Sequence, residues 1–368
     1  MKRWHGIGMM SGTSLDGVDL AYCEFSLDDG EWSYRLLRAE TIPLSEKWKA
    51  RLAHLDQVDA RTYARTHVYW GRELGLMARF FISRYGLDPQ FVACHGQTIF
   101  HEPDKNYTAQ IGDGETMVAF LDCPLVTNLR NKDVALGGQG APLVPFGERM
   151  LWPEAKWFLN LGGIANLSRI SANGDSLAYD VTAANMALNW LARNLDPPRY
   201  FDRDGEVAAS GSLDPELLAR LNGLPYFDAP PPKSLGTEWF EAAVLPLLRD
   251  DSIPVADRMH TYVHHLTGQV ARDMERFGAQ GGALLVTGGG AHNTFLMQEL
   301  RTALSPLGVE VPHLEAEVID QKEAIVFAFL GLQVLLGQTN TLAGVTGASQ
   351  TVTGGSIHLP PGGGPALL

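Results

Sequence analysis

The chain has 368 residues, 45% of them hydrophobic and 19% charged, and its formal net charge is −13. That length exceeds what one hydrophobic core usually holds and predicts two domains. The acidic balance argues against nucleic acid or an anionic membrane as partner, because phosphate attraction needs clustered Lys and Arg.

Cys23, Cys94 and Cys123 are odd in number and each sits in an apolar run, without a CxxC pair. Buried reduced thiols fit that pattern better than zinc ligands or a disulfide framework. The N-terminus, MKRWHGIGMMSGTS, lacks the apolar stretch of a signal peptide. No apolar run reaches the roughly 18 residues of a membrane span. The expectation is a soluble cytoplasmic protein.

In chain order, HGIGMM, VDLAYCEFS and WSYRLLRAETI predict three strands. The run DARTYARTHVYWGRELGLMARFFISRYG predicts a long amphipathic helix stopped by Gly86. A short strand, FVACHG, follows. Past the middle the order returns: WFLNLGG, IANLSRIS and, after the turn ANGD, LAYDVT predict strands, and AANMALNWLARNL a helix. Two halves with the same element order indicate a duplication. Residues 197–251 are proline-rich and predict an irregular insertion. Beyond them come a helix to about Gly278, the strand ALLVTGGG, a helix from Asn293, a strand near VEVPHL, and a last helix over DQKEAIVFAFLGLQVLLG. The Gly- and Pro-rich tail predicts surface loop or frayed chain.

Residues 8–19, GMMSGTSLDGVD, break a strand with a small polar turn. Glycine lets backbone N–H groups point at one spot, and Thr13 and Ser14 add hydroxyl donors, which together suit phosphate oxygens. Asp16 and Asp19 suit that site where Mg2+ and its waters intervene. A plain polar hairpin is the other reading. NLGGIANLS puts Gly162 and Gly163 at the tip of the matching hairpin, flanked by Asn160 and Asn166. TGGGAHN adds Gly288, Gly289 and Gly290 between a strand and a helix, where a nucleotide can approach closely. No GxxxxGK[ST] is present, so this is not a Walker P-loop chain.

Asp180 ends a strand in LAYDVTAAN and suits a general base. Its alternative is to cap the helix that follows, a task Thr182 could also take. His95 and Gln97, in ACHGQTIFHEP, and Arg130, in NLRNKD, suit a polar cleft for a sugar, although His95 reads equally as a structural histidine. Glu323 opens the last helix as a first-turn dipole partner or a ligand contact.

Taken together, GMMSGTSLDGVD, CHGQTIFHEP, QIGDGE, VALGGQGAPLVP, FLNLGGIANLS, PYFDAPPPKSLG, VTGGGAHN and KEAIVFAFL resemble the anhydro-N-acetylmuramic acid kinase family, in order and over nearly the whole chain. The resemblance implies an α/β protein of two duplicated ribonuclease-H-like (actin-like ATPase) domains with a nucleotide cleft between them. It places a first domain over 1–127, with the tail from about 340 to 368 packed on it, and a second over 128–339. It implies that Gly12, Thr13, Ser14, Leu15, Asp16, Gly17, Val18 and Asp19 bind ATP phosphates, with Gly162, Gly163 and Asn166 as the second hairpin. Gly288, Gly289, Gly290 and Asn293 lie near the nucleotide.

Asp180 matches the family's base, which activates water to open a 1,6-anhydro sugar while O6 takes the γ-phosphoryl group of ATP. The implied product is N-acetylmuramic acid 6-phosphate, an intermediate of cell-wall recycling. His95, Gln97, Arg130, Asn185 and Glu323 fall on the sugar side, Mg2+ is the implied metal, and a homodimer is plausible from the family.

The chain departs from the family's pattern on the sugar side. D-T-G-P-[GA]-N reads Asp180-Val181-Thr182-Ala183-Ala184-Asn185, with Asn189 where an acid is expected. D-F-R reads Asn128-Leu129-Arg130, A-F-H reads Phe146-Gly147-Glu148, and K-S-T-G-R-E reads Lys233-Ser234-Leu235-Gly236-Thr237-Glu238. A kinase for a different anhydro sugar is therefore the second expectation, and a non-catalytic nucleotide-dependent sensor the third.

Overall fold

The computed structural model describes every residue except 13–14, 171–175, 232 and 364–368. The chain divides into two compact units, Met1–Pro153 with Gln321–Leu368, and Glu154–Asp320.

In the first unit, β1 (Lys2–Ser11), β2 (Gly17–Asp28) and β3 (Glu31–Pro43) form an antiparallel meander. After the helix Ala60–Tyr85, β4 (Phe91–Glu102) returns parallel to β1. Asp59 caps that helix by accepting from the N–H groups of Arg61 and Thr62, and Gly86 ends it at φ 60°. The hairpin strand β5 (Tyr107–Ile111) pairs with β4, and β6 (Leu125–Thr127) lies parallel to it. β4 runs longer than FVACHG predicted, because its residues beyond Gly96 pair with β5, a strand the sequence reading did not name.

The second unit repeats this order. β7 (Ala155–Leu161), β8 (Ile164–Arg169) and β9 (Leu177–Ala183) form the meander, and β10 (Ala283–Thr287) lies parallel to β7. The sheet orders are β6-β4-β1-β2-β3, extended beyond β6 by β11 (Ser356–His358), and β10-β7-β8-β9. Both units thus carry the pairing 3-2-1-4, a meander whose first strand takes a parallel partner after a helical crossover. The duplicated α/β architecture expected from the sequence is present. The turn expected over 172–175 lies outside the described residues.

Four expectations change. The boundary expected at 127/128 falls inside the first unit, because residues 128–153 are tied into it. Arg130 donates to His95 at 2.8 Å, Asp133 accepts from Thr346 at 2.7 Å, and Glu148 pairs with Lys322 at 2.6 Å. The tail is no frayed chain but packs on the first unit, as the resemblance implies, with β11 (Ser356–His358) adding antiparallel to β6. Among its described residues, the stretch 197–251 carries a series of short helices that the sequence reading did not expect. Helices Glu206–Ser210, Pro215–Asn222 and Leu245–Leu248 put Ala208, Leu217, Leu221, Leu245 and Leu248 into the core of the second unit. The strand near VEVPHL shrinks to one bridge, Ala283 with Glu310.

Two packed cores hold the units. Trp70, Phe81, Ile7 and Met9 are fully buried in the first. Tyr262, Val263 and Leu266, on helix Val255–Arg276, are fully buried in the second. The helix Ala316–Leu335 contributes residues 321–335 to the first unit, where it lies directly on β1 and β4. A Cβ on Gly8 would sit 1.8 Å from Ala324 O, so only glycine admits this approach. All three cysteines are buried and free, and burial pushes the Cys94 thiol up to about 12. Among the described residues no helix is long and apolar enough to cross a membrane.

Candidate active site

In the first unit the β1–β2 turn is braced from below. Ser11 Oγ donates to Gln97 Oε1 at 2.5 Å, and Gln97 Nε2 donates to Gly12 O at 3.2 Å. Leu15 adopts φ 58°, and its N–H donates to Gly12 O at 3.3 Å. Asp19 Oδ1 accepts from Thr41 Oγ1 at 2.6 Å, and Gln321 Nε2 donates to the same hydroxyl. Asp16, Gly17 and Val18 lead into β2, where Val18 is buried opposite Ser11. Thr13 and Ser14 lie outside the described residues.

His95 is buried at the same end of β4. Its Nδ1–H donates to Gly96 O at 3.0 Å and its Nε2 accepts from Arg130 Nε at 2.8 Å. Arg130 Nη1 also donates to Gly140 O at 2.7 Å. Burial, with the Arg130 cation beside it, holds the His95 pKa down to about 3, so the ring is neutral at working pH. Both of its nitrogens are used inside the unit, as are both ends of the Gln97 amide. These two residues therefore support their neighbours, while Arg130 keeps Nη2 beyond its two bonds and Glu323 keeps an exposed side chain. Crowding by protein nonetheless pushes the Glu323 pKa up, opposed by Lys322 and Arg130.

In the second unit the matching turn, Gly162–Gly163, docks the start of helix Asn185–Arg193. Gly162 O accepts from Asn185 N at 3.1 Å and Gly163 O from Ala184 N at 2.8 Å. Asn185 Nδ2 donates to Leu161 O at 2.9 Å. The third glycine turn closes on the same place. Gly288 has φ 82°, and a Cβ there would sit 2.5 Å from Asn160 Oδ1. Gly162 and Gly163 differ from it, since a Cβ on either would meet nothing closer than 3.5 Å. Their bare backbone leaves open space over the hairpin.

Asp180 lies on β9 opposite Asn166 of β8. Its Oδ1 accepts from Asn166 Nδ2 at 3.0 Å and its Oδ2 from Leu235 N at 2.9 Å. Tyr226 donates its hydroxyl to the Asp180 carbonyl at 2.6 Å. Each carboxylate oxygen keeps a further lone pair for water. Asp180 is not a helix cap, because the next helix starts at Asn185 with Ala184 as its cap and no side-chain cap bond. Nor does Thr182 cap it. That side chain is fully buried, with its hydroxyl 3.4 Å from His265 Nε2.

The sequence marked Lys233 and Leu235 only within a stretch that departs from the family pattern, and it did not single out Tyr226. Their stretch holds the carboxylate in place, and the signal was there in PYFDAPPPKSLG, whose polar and aromatic residues had no core pattern to serve. Lys233 Nζ stands 4.5 Å from the Tyr226 ring centroid, and burial lowers its pKa.

A cavity of about 580 Å³ opens within the second unit, lined among others by Asn185, Asn189, Phe201, Gly289, His292 and Asn293. Asn185, expected on the sugar side, thus sits with Gly289 and Asn293. Asn293 also caps helix Thr294–Leu304, accepting from Leu296 N at 2.9 Å.

Two buried histidines set a pH response. His95 and His265 both have pKa values depressed to about 3 by burial, whereas an unfolded histidine titrates near ~6.5. Their neutral forms stabilise the fold above the unfolded value. That contribution drains as pH falls from there toward the folded value, because only the unfolded chain takes the proton. Each histidine adds a slope of about 1.4 kcal/mol per pH unit in that window. Urea unfolding at pH 4.5 and 6 checks this, and His265→Gln is expected to flatten the dependence by one histidine's share.

Comparison with known proteins agrees with this frame and first gives a class, sugar kinases. The family model described as anhydro-N-acetylmuramic acid kinase matches residues 4–360. Curated proteins of that name are similar to the chain. The one from Paramagnetospirillum magneticum is 36% identical over 372 residues, covering 96% of this chain and 99% of its own. The one from Vibrio cholerae is 35% identical over 373 residues, covering 96% and 98%. The one from Pasteurella multocida is 33% identical over 368 residues, covering 96% of each. The chain belongs to the anhydro-N-acetylmuramic acid kinase family.

Proposed function

We propose that the chain is an ATP-dependent anhydro-N-acetylmuramic acid kinase of the cytoplasm, serving cell-wall recycling. The observation that carries the reading is Asp180. It is a carboxylate fixed by Asn166 and the Leu235 N–H, free of any capping task, on the strand whose end, Ala183, pairs with Ile164 next to the open Gly162–Gly163 turn. Asp180 takes a proton from water as the water oxygen bonds to the anomeric carbon. The C1–O6 bond breaks, O6 bonds to the γ-phosphorus of ATP, and the bond to the β-phosphate oxygen breaks, leaving ADP and the 6-phosphate. Positioning and charge stabilisation supply most of the acceleration in such a transfer.

The glycine turns Gly12–Asp19 and Gly162–Gly163 bind phosphates in this reading, and the 580 Å³ cavity takes the nucleoside. Arg130 and Glu323 contact the sugar. Mg2+ fits as an ion carried by the phosphates. Among the described residues no three His, Cys, Asp or Glu side chains gather to cage a metal, and Mg2+ characteristically keeps its waters and few carboxylates. Asp16 and Asp19 are the carboxylates that the first hairpin offers it. The ion would neutralise charge on the transferred phosphoryl group.

The reading is tested by ADP release with ATP, Mg2+ and anhydro-N-acetylmuramic acid. Release that does not need this sugar sinks it. Release with another anhydro sugar alone moves the assignment to that substrate. A second measurement isolates the hairpin. Gly163→Ala meets only Met186 Cε, at 4.0 Å, so the fold is expected to stay as stable as the parent or gain slightly. The KM for ATP is expected to rise roughly 10- to 100-fold, the worth of one charge-assisted backbone hydrogen bond. An unchanged KM would remove Gly163 from the phosphate site.

A further inference from the structure

A second cavity, of about 670 Å³, opens in the first unit at the start of β1. From Trp4 to Ser11 the strand runs about 23 Å, so this cavity is remote from the glycine turn. Trp4, Trp32 and Phe146 form its apolar wall. The two indoles lie 5.5 Å apart at 41°, and Trp32, half-buried against Phe329, gives the wall its more accessible ring, since Trp4 is 4% exposed.

Lys2 and Arg149 stand at its rim with exposed side chains. Neither meets a carboxylate among the described residues. No Asp or Glu lines the cavity, so Lys2 and Arg149 are its charged lining, with Asp28, Asp29 and Glu31 next to it in the β2–β3 turn. Gln333, 3% exposed, completes the wall, and its Nε2 has no acceptor. A buried amide without a partner costs free energy that a ligand acceptor recovers after a small rotation of the side chain.

We propose that this cavity is a binding site for a small organic anion with a flat apolar ring, separate from the phosphoryl-transfer site. The indoles and Phe146 take the ring, and Lys2, Arg149 and the Gln333 amide take the anionic group. The proposal does not depend on the kinase reading. It is tested by calorimetric titration of the full chain with 1-naphthoate and with uncharged 1-naphthamide. Saturable binding of the acid is expected, tighter than that of the amide by roughly tenfold or more. Lys2→Gln with Arg149→Gln, both surface changes, is expected to bring the acid down to the level of the amide. Trp32→Leu is expected to weaken both probes, and a thermal melt matching the parent qualifies each variant. No saturable heat from 1-naphthoate, equal binding of acid and amide, or full affinity in the double variant would each overturn the assignment.

Discussion

Asp180→Asn is expected to remove sugar-dependent ADP release, lowering kcat by roughly 10²- to 10⁴-fold, the usual worth of a positioned general base. The amide cannot take a proton from water. Its geometry adds a second effect. Both carboxylate oxygens accept hydrogen bonds, from Asn166 Nδ2 and from Leu235 N. An asparagine has one acceptor oxygen, so its NH2 must face one of those donors. That leaves a part-buried donor unpaired, which costs about 1–3 kcal/mol. A melt therefore belongs beside the rate assay. Asn166→Ala separates the two effects, because it loosens the carboxylate without removing it. Its kcat is expected to fall less than that of Asp180→Asn. Retained turnover in Asp180→Asn, with folding intact, would take Asp180 out of the chemistry.

The sequence made the meanders and their turns legible for a physical reason. Strand alternation is a local signal, and GMMSGTSLDGVD and NLGGIANLS interrupt it with glycine where the chain must reverse. Asp180 was legible as a polar residue at a strand end. Its two readings separated only when Ala184 proved to start the helix. The hydrogen-bond partners of His95 and Gln97 were not legible, although His95 read equally as a structural histidine. Both sit at a strand end as a ligand-binding residue would, but their partners, Arg130 and Ser11, are 35 and 86 positions away. The insertion misled because prolines read as loop, yet Pro215 occupies the first turn of a helix capped by Asp214. Short helices of this kind bury only a few apolar residues each and leave a weak periodic trace.

The Glu148–Lys322 pair gives the other large expectation. The two side chains meet at 2.6 Å and are 4% and 8% exposed. Lys322→Met leaves the Glu148 carboxylate buried without a counter-charge, so the first unit is expected to lose about 3–5 kcal/mol in urea unfolding. Glu148→Leu strands the ammonium and is expected to cost a similar amount. The double variant, Glu148→Leu with Lys322→Met, removes both charges and is expected to recover most of the loss, because a buried pair repays little more than its own desolvation.

The pair also stands next to Glu323. Lys322 and Arg130 draw the Glu323 pKa down, whereas Asp19 and Glu148 push it up. Losing Lys322 alone therefore raises the Glu323 pKa further, and the acid limb of the pH–rate profile is expected to move to higher pH. Losing both partners removes opposing influences, and the limb is expected to return toward the parent. A double variant as unstable as the single ones would mean that shape, not charge, fixes the helix from Gln321 on the sheet. A limb that stays put in Lys322→Met would mean that Glu323 does not titrate in the step being measured.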